Sequence, residues 1–248
     1  MRSGYYSAAF LLQRIIADKL DVDPTEIEIA DISRKALNDD TDRYVAEIIL
    51  TDELPNGSGF VRHLFNNFET ILSDTLLPTD EKVYLKKIHS DSHSDNCQDS
   101  CYECLKVYRN MNYHSLLDWR LALSMMRMMH DETFVCGADN NFDFVELRGW
   151  LDNAIGLRDS FVQSFGYTHK EEVNGLPIIK WGQDKKNIIA IVHPFWNVAN
   201  LNYDENWLAK TITALRKTRA ASGGSLSIID TFNLHRRPGW CYERLVIR

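Results

Sequence analysis

The 248-residue chain carries a formal net charge of −7, with 44% apolar, 25% charged and 11% aromatic residues. That is the make-up of a soluble globular protein with one large domain or two modest ones, and it excludes a generally basic glove for a phosphate backbone. No apolar run approaches the length needed to cross a bilayer and no secretory leader opens the chain, which points away from membranes, to the cytoplasm and to reduced thiols.

The helical pattern opens almost at Met1, with no cap-rich lead-in, as in a carboxy-terminal piece of something larger. Phe10, Leu11, Leu12, Ile15, Ile16 and Leu20 recur at helical spacing, predicting a helix over 7–20. A turn at Asp23-Pro24 leads into an alternating strand through Ile27, Ile29 and Ile32, and "RYVAEIILTDEL" reads as a second β-rich run. "PNGSGFVRHLFNNFETILSDTLL" reads as a glycine turn opening one long amphipathic helix. A polar cysteine-bearing loop follows, then a helix from about Leu116 to His130.

Polar "GADNNFD" (137–143) is the expected seam between a first lobe, 1–136, and a smaller α/β lobe, 137–248. Beyond it "FVELRGWLDNAIGLRDSFVQSFG" reads as a helix ending at Gly166. A strand pair, "HKEEVNGLPIIKWG" and "KNIIAIVHPFW", is joined by "QDKK". A helix "DENWLAKTITALRKTRAAS" stops at Gly223-Gly224, and "SLSIIDTFNL" reads as a final strand. Helices and strands interleave in both halves, so the expected class is α/β, mixed α+β, in two lobes.

Three of the five cysteines fall in "HSDNCQDSCYEC". Cys97, Cys101 and Cys104 form C-x3-C-x2-C, whose second half is the spacing of a metal knuckle: two thiolates three positions apart face one ion around a tight turn. Free thiols crowded into a polar loop have little other physical use, since unligated cysteine is normally buried. A structural zinc takes four ligands, so one is missing. His93, His89, His114, Asp95 and Cys136 are the candidates. His93 is preferred because it lies in the same loop; His114, at the start of the next helix, is second. Cys136 and Cys241 are isolated and read as core thiols.

"CQDSCYECLKVYRNMNYHSLLDWRLAL", with "YYSAAFLLQRIIADKLDVDPTEIEI" and "LPNGSGFVRHL", resembles the zinc-binding domain found at the carboxy end of DEAD/DEAH-box helicases and in helicase-associated proteins of antiphage systems such as DISARM and Druantia. The resemblance is specific over 5–123 and thinner over 140–230, though "DTFNLHRRPGW" is similar to the tail of that group. It implies a non-catalytic accessory domain working with a helicase or translocase subunit, with DNA as a possible further partner. Many members have a fourth cysteine where Asp95 stands here. Related sequences with the shorter set often have a histidine four before the first cysteine, which His93 matches. No G-x4-GK[ST] loop is present in this chain.

Other residues invite a contact role. Gly57 and Gly59 lie in a strand-to-helix loop whose amides suit an anion, with Arg62 as support, although such loops need glycine for backbone reasons alone. Arg109 and His114, beside Tyr108 and Tyr113, suit nucleic-acid or partner contact. Arg236 and Arg237, next to Trp240, suit a contact surface. The competing class is a metal-dependent nuclease or phosphodiesterase in the second lobe, but Glu172, Lys180, Asp184 and His193 do not fall into a recognisable catalytic pattern, so no catalytic residue is assigned.

Overall fold

The computed structural model describes residues 2–36, 44–54, 56–77, 83–198 and 206–246. Pro55 and the 204–205 start read for the last long helix lie outside them. Met1–Phe134 and Val135–Arg248 form two compact units, and the class is mixed α/β.

The first unit is built around α1 (Arg2–Leu20). Ala8, Ala9, Leu11, Leu12, Ile15 and Ile16 are all buried, so apolar pairs cover more than one stripe of this helix. It packs on α6 (Trp119–His130), whose start is capped by Asp118 accepting from the Arg120 and Leu121 amides. Ser7 ties the two together: its hydroxyl accepts from Asp118 N–H at 2.8 Å. Trp119, Leu123 and Met126 close the core on the α6 side. Trp119 is 1% exposed, and losing such an indole typically costs ~3–5 kcal/mol.

An antiparallel ribbon of β1 (Ile27–Ala36) and β2 (Tyr44–Asp52) follows α1, with Ile27 opposite Asp52 and a bulge between Ile29 and Asp31. Then come α2 (Phe60–Asn66) and α3 (Phe68–Leu76), followed by two short helices, α4 (Val83–Ile88) and α5 (Asp91–Asn96), which lead into the cysteine loop. A 3-10 stretch, Tyr108–Tyr113, connects that loop towards α6.

In the second unit, α7 (Trp150–Phe165) precedes β3 (His169–Val173), β4 (Leu176–Trp181) and β5 (Asn187–Val192). These three strands form an antiparallel meander. After it, α8 (Trp207–Ser222) carries the chain to β6 (Leu226–Asp230), parallel to β5, in the sheet order β3-β4-β5-β6. From Ile188 to Val192, β5 is wholly buried, the pattern of a strand covered on both faces, whereas β3 is a charged edge. Two further helices, α9 (Thr231–Arg236) and α10 (Pro238–Val246), end the described chain.

Several boundaries differ from the sequence reading: α1 starts at Arg2 and not at residue 7, and α6 at Trp119 and not near Leu116. "HKEEVNGLPIIKWG" is two strands: Asn174 and Gly175 take φ of 52° and 86° and make a tight hairpin turn between β3 and β4. The helix after the glycine turn is broken at Asn67, whose φ of −122° leaves the helical region between α2 and α3. The helix before Gly166 starts only at Trp150. The final strand stops at Asp230, because that carboxylate accepts the Asn233 amide at 2.8 Å and starts α9 in place of further sheet. Among the described residues, no helix is long and apolar enough to cross a membrane.

Candidate metal centre

Ser90 caps α5 by accepting the His93 amide, and this single short helix delivers His93 inward while Asp91, Ser92 and Asp95 stay exposed. The chain leaves the helix at Cys97, whose amide still donates to His93 O at 2.8 Å. It then turns through Cys101 and Cys104, where the Cys101 amide donates to Cys104 Sγ at 3.0 Å and the Lys106 amide to Cys101 O at 2.9 Å. Amides pointed at sulfur are what a knuckle needs, because they favour thiolate over thiol.

The four donor atoms of His93, Cys97, Cys101 and Cys104 lie within 4.8 Å of one another. Sγ of Cys104 is 3.8 Å from that of Cys97 and 3.7 Å from that of Cys101, and Cys101 Sγ is 3.7 Å from His93 Nε2. A tetrahedral zinc with Zn–S near 2.3 Å requires S···S edges of about 3.8 Å. A disulfide would instead bring one pair to about 2.05 Å. All five cysteines are free. The spacing is that of ligands around one ion.

Charge agrees. Hydrogen bonds from Cys97, with others from His93 and the Cys101 amide, draw the Cys104 thiol down to about 4. The same pair pushes Cys97 upward, through its bond to Cys104 and through burial. The Cys97 and Cys104 sulfurs resist ionising together, and a divalent cation beside them would remove that resistance.

His93 is the histidine that fits. Its Nδ1 faces Ile88 O at 3.2 Å, so the proton sits there and Nε2 presents its lone pair to the sulfurs. His89 Nε2 is engaged by Thr75 O at 2.9 Å, and His114 Nε2 by Asn110 Oδ1 at 2.9 Å and Val107 O at 3.1 Å. Asp95 is exposed, and Cys136 is buried in the second unit, where its carbonyl accepts the Trp196 indole N–H.

Two residues from α6 hold the loop. Trp119 Nε1 donates to Cys97 O at 2.9 Å, its amide donates to Asp99 O at 2.9 Å, and its ring meets that of His93 edge-on at 4.9 Å. Arg120 gives Nη1 to Cys97 O (3.2 Å) and Gln98 O (2.8 Å), and Nη2 to Ser94 O and Oγ (both 3.1 Å). Its guanidinium lies 4.4 Å from the Trp119 ring centroid, and burial lowers its pKa. Their sequence signal is the "DWR" that starts α6, which shows a cap and a core tryptophan but not the loop they grasp.

The other sequence-singled residues are dispersed. At the glycine loop, the Gly59 amide donates to Asp52 Oδ2 at 2.7 Å and the Val61 amide to Asp52 Oδ1 at 2.9 Å. Those donors already serve a carboxylate from the end of β2, with Gly57 and Gly59 at φ of 71° and 84° shaping the turn and Arg62 exposed beside it. Arg109 is exposed and His114 half-buried. In the second unit, Arg236 lies over Phe232 at 5.3 Å, while Arg237 and Arg244 lie over Trp240 at 4.3 and 4.2 Å.

Glu172 pairs with Arg158, Lys180 with Glu171, and Asp184 with Lys186, each in a separate bridge. His193 is packed among Trp150, Phe195 and Trp196, and burial holds its pKa down at about 3. Among the described residues, the His93/Cys97/Cys101/Cys104 set is the one group of three or more such donors able to hold a metal.

A closed set of one imidazole and three thiols, held from behind by an α-helix, defines a zinc-binding domain with a structural site. Residues 8–105 match the family model of the MrfA Zn-binding domain, and with the His/Cys cluster this segment is consistent with a zinc-binding domain of helicase-associated proteins. The match ends one residue after Cys104 and leaves α6 and the second unit outside it. No curated protein and no solved structure matches the chain.

Proposed function

We propose that the protein is a non-catalytic accessory component of a DNA helicase or translocase in bacterial antiphage defence, contacting DNA or the motor subunit, with zinc holding its first unit rigid. The observation that carries this reading is the closed ligand set. Four protein donors fill a tetrahedral ion, leaving no position at which a metal-bound water would attack a substrate. When bound, zinc supplies folding free energy and a fixed loop geometry.

DNA contact is assigned to the second unit. Arg237 and Arg244 share the Trp240 ring, and Arg236 lies one residue before this pair, a local positive patch on an acidic chain. The test is fluorescence anisotropy with single- and double-stranded DNA across a salt series. Salt-sensitive binding that an Arg236→Ala/Arg237→Ala variant loses supports DNA contact. Unchanged binding in that variant removes this patch from the reading, and absence of binding leaves docking on the motor as the role, tested by co-purification with a helicase or translocase subunit.

A further inference from the structure

Away from the metal, the first unit has an open groove of about 690 Å³ between α1, the outer edge of β1 and the 3-10 stretch 108–113. We propose that this groove binds an extended, positively charged peptide segment, which adds to β1 as a further strand.

The backbone supplies the first reason. Ile27 gives its N–H to Pro24 O, and its C=O accepts Gln13 Nε2 at 2.6 Å, so both groups point away from β2. Backbone direction alternates along a strand, so Ile29 points the same way, into the groove. Gln13 supplies to Ile27 the hydrogen bond that a neighbouring strand would give. One repeat further on, Ile29 has no backbone partner outside its own ribbon among the described residues. An unpaired strand edge beside a groove is the template that extended peptides complete.

Charge supplies the second. Asp23, Glu28, Asp31 and Glu53 line the groove against Arg14 and Arg109. Both arginines act on Asp23, and Arg14 also lies over the Tyr84 ring at 5.1 Å. Glu28, Asp31 and Glu53 are exposed and have no ion-pair partner among the described side chains. Such a surplus repels a nucleic-acid backbone and attracts lysine or arginine.

The far wall is aromatic. Tyr113 packs against Tyr6 and Phe10 with centroids 5.0 and 5.5 Å apart, and Tyr108 stands 83% exposed at the rim. A strand alternates its side chains, so one set of the peptide's residues would meet this wall and the other the carboxylates. The groove's chemistry selects such a segment whether or not it belongs to a motor, so this inference does not rest on the role proposed above.

The test is a positional-scanning library of short peptides against the zinc-loaded full chain, with amide exchange of Ile29 as the structural readout. Enrichment of Lys or Arg alternating with large apolar residues is expected, with slowed exchange at Ile29. Affinity of the selected peptide should fall at least ~10-fold in Glu28→Lys/Asp31→Lys, with zinc content and thermal midpoint unchanged. No enrichment, preference for acidic residues, an unaffected charge-reversal variant, or protection of Tyr108 by single-stranded DNA instead would overturn it.

Discussion

His93 Nδ1 lies 3.2 Å from the carbonyl oxygen of Ile88, and this one contact decides which imidazole nitrogen the metal receives. The proton stays on Nδ1, and Nε2 faces Cys101 Sγ at 3.7 Å. His93→Gln is therefore expected to weaken zinc binding while the three thiols retain some affinity. Competition with a chromogenic chelator checks this, and wild-type affinity in the variant would dismiss His93 as a ligand.

Replacing Cys101 or Cys104 by serine removes a thiolate from the set. Both variants are expected to lose stoichiometric zinc and to unfold the first unit at lower temperature, because metal binding there is folding free energy. Metal analysis and a thermal melt, run together, check it; unchanged values in both would contradict a structural zinc.

Arg120 touches no metal yet holds three loop carbonyls and one hydroxyl, those of Cys97, Gln98 and Ser94. Arg120→Ala should lower zinc affinity by ~10–100-fold, the usual cost of losing an outer-shell partner. Arg120→Lys should recover only part of it, since an ammonium cannot reproduce the planar fork. Equal loss in an Asp118→Ala variant would instead point to the helix start as the cause.

His193 gives the second unit a pH dependence. Its folded pKa is depressed to about 3 by burial, and its Nδ1 accepts the Phe195 amide at 3.2 Å, a bond that needs the neutral ring. Above its ordinary value of about 6.5 neither state is protonated, and there is no penalty. As pH falls below that, the unfolded chain takes up the proton first, and stability drops by ~1.4 kcal/mol per pH unit until the folded value is reached. Denaturant melts between pH 7 and 4.5 should show this slope, and His193→Phe should flatten it.

Asp52 closes the start of α2 by accepting the Gly59 and Val61 amides. Asp52→Ala is expected to cost ~1–2 kcal/mol, as for loss of a helix cap. A thermal or denaturant melt measures it, and a change within ±0.5 kcal/mol, the range of ordinary surface substitutions, would mean that solvent serves those amides as well.

The cysteine loop was legible because its ligands lie within twelve residues, 93 to 104, where spacing alone constrains geometry. What holds it was not. Trp119 and Arg120 reach Cys97 across more than twenty residues, a contact made by the packing of α6 and not by any local pattern. The glycine loop shows the same division: its amides could be read from "NGSG", but Asp52, which takes them, belongs to the preceding strand. In the second unit, "SIIDTFNL" continues an apolar rhythm through Asp230, so cap and strand residue look alike until the Asn233 amide is seen to turn back. Asn174-Gly175 is the opposite case, a plain local hairpin signal that divides "HKEEVNGLPIIKWG" into β3 and β4.

X-ray absorption at the zinc edge on protein purified without chelators tests the central claim most directly. The expected result is one zinc per chain with three sulfur neighbours at about 2.3 Å and one nitrogen at about 2.0 Å. A folded chain without bound metal, or a zinc surrounded mainly by oxygen, would contradict it.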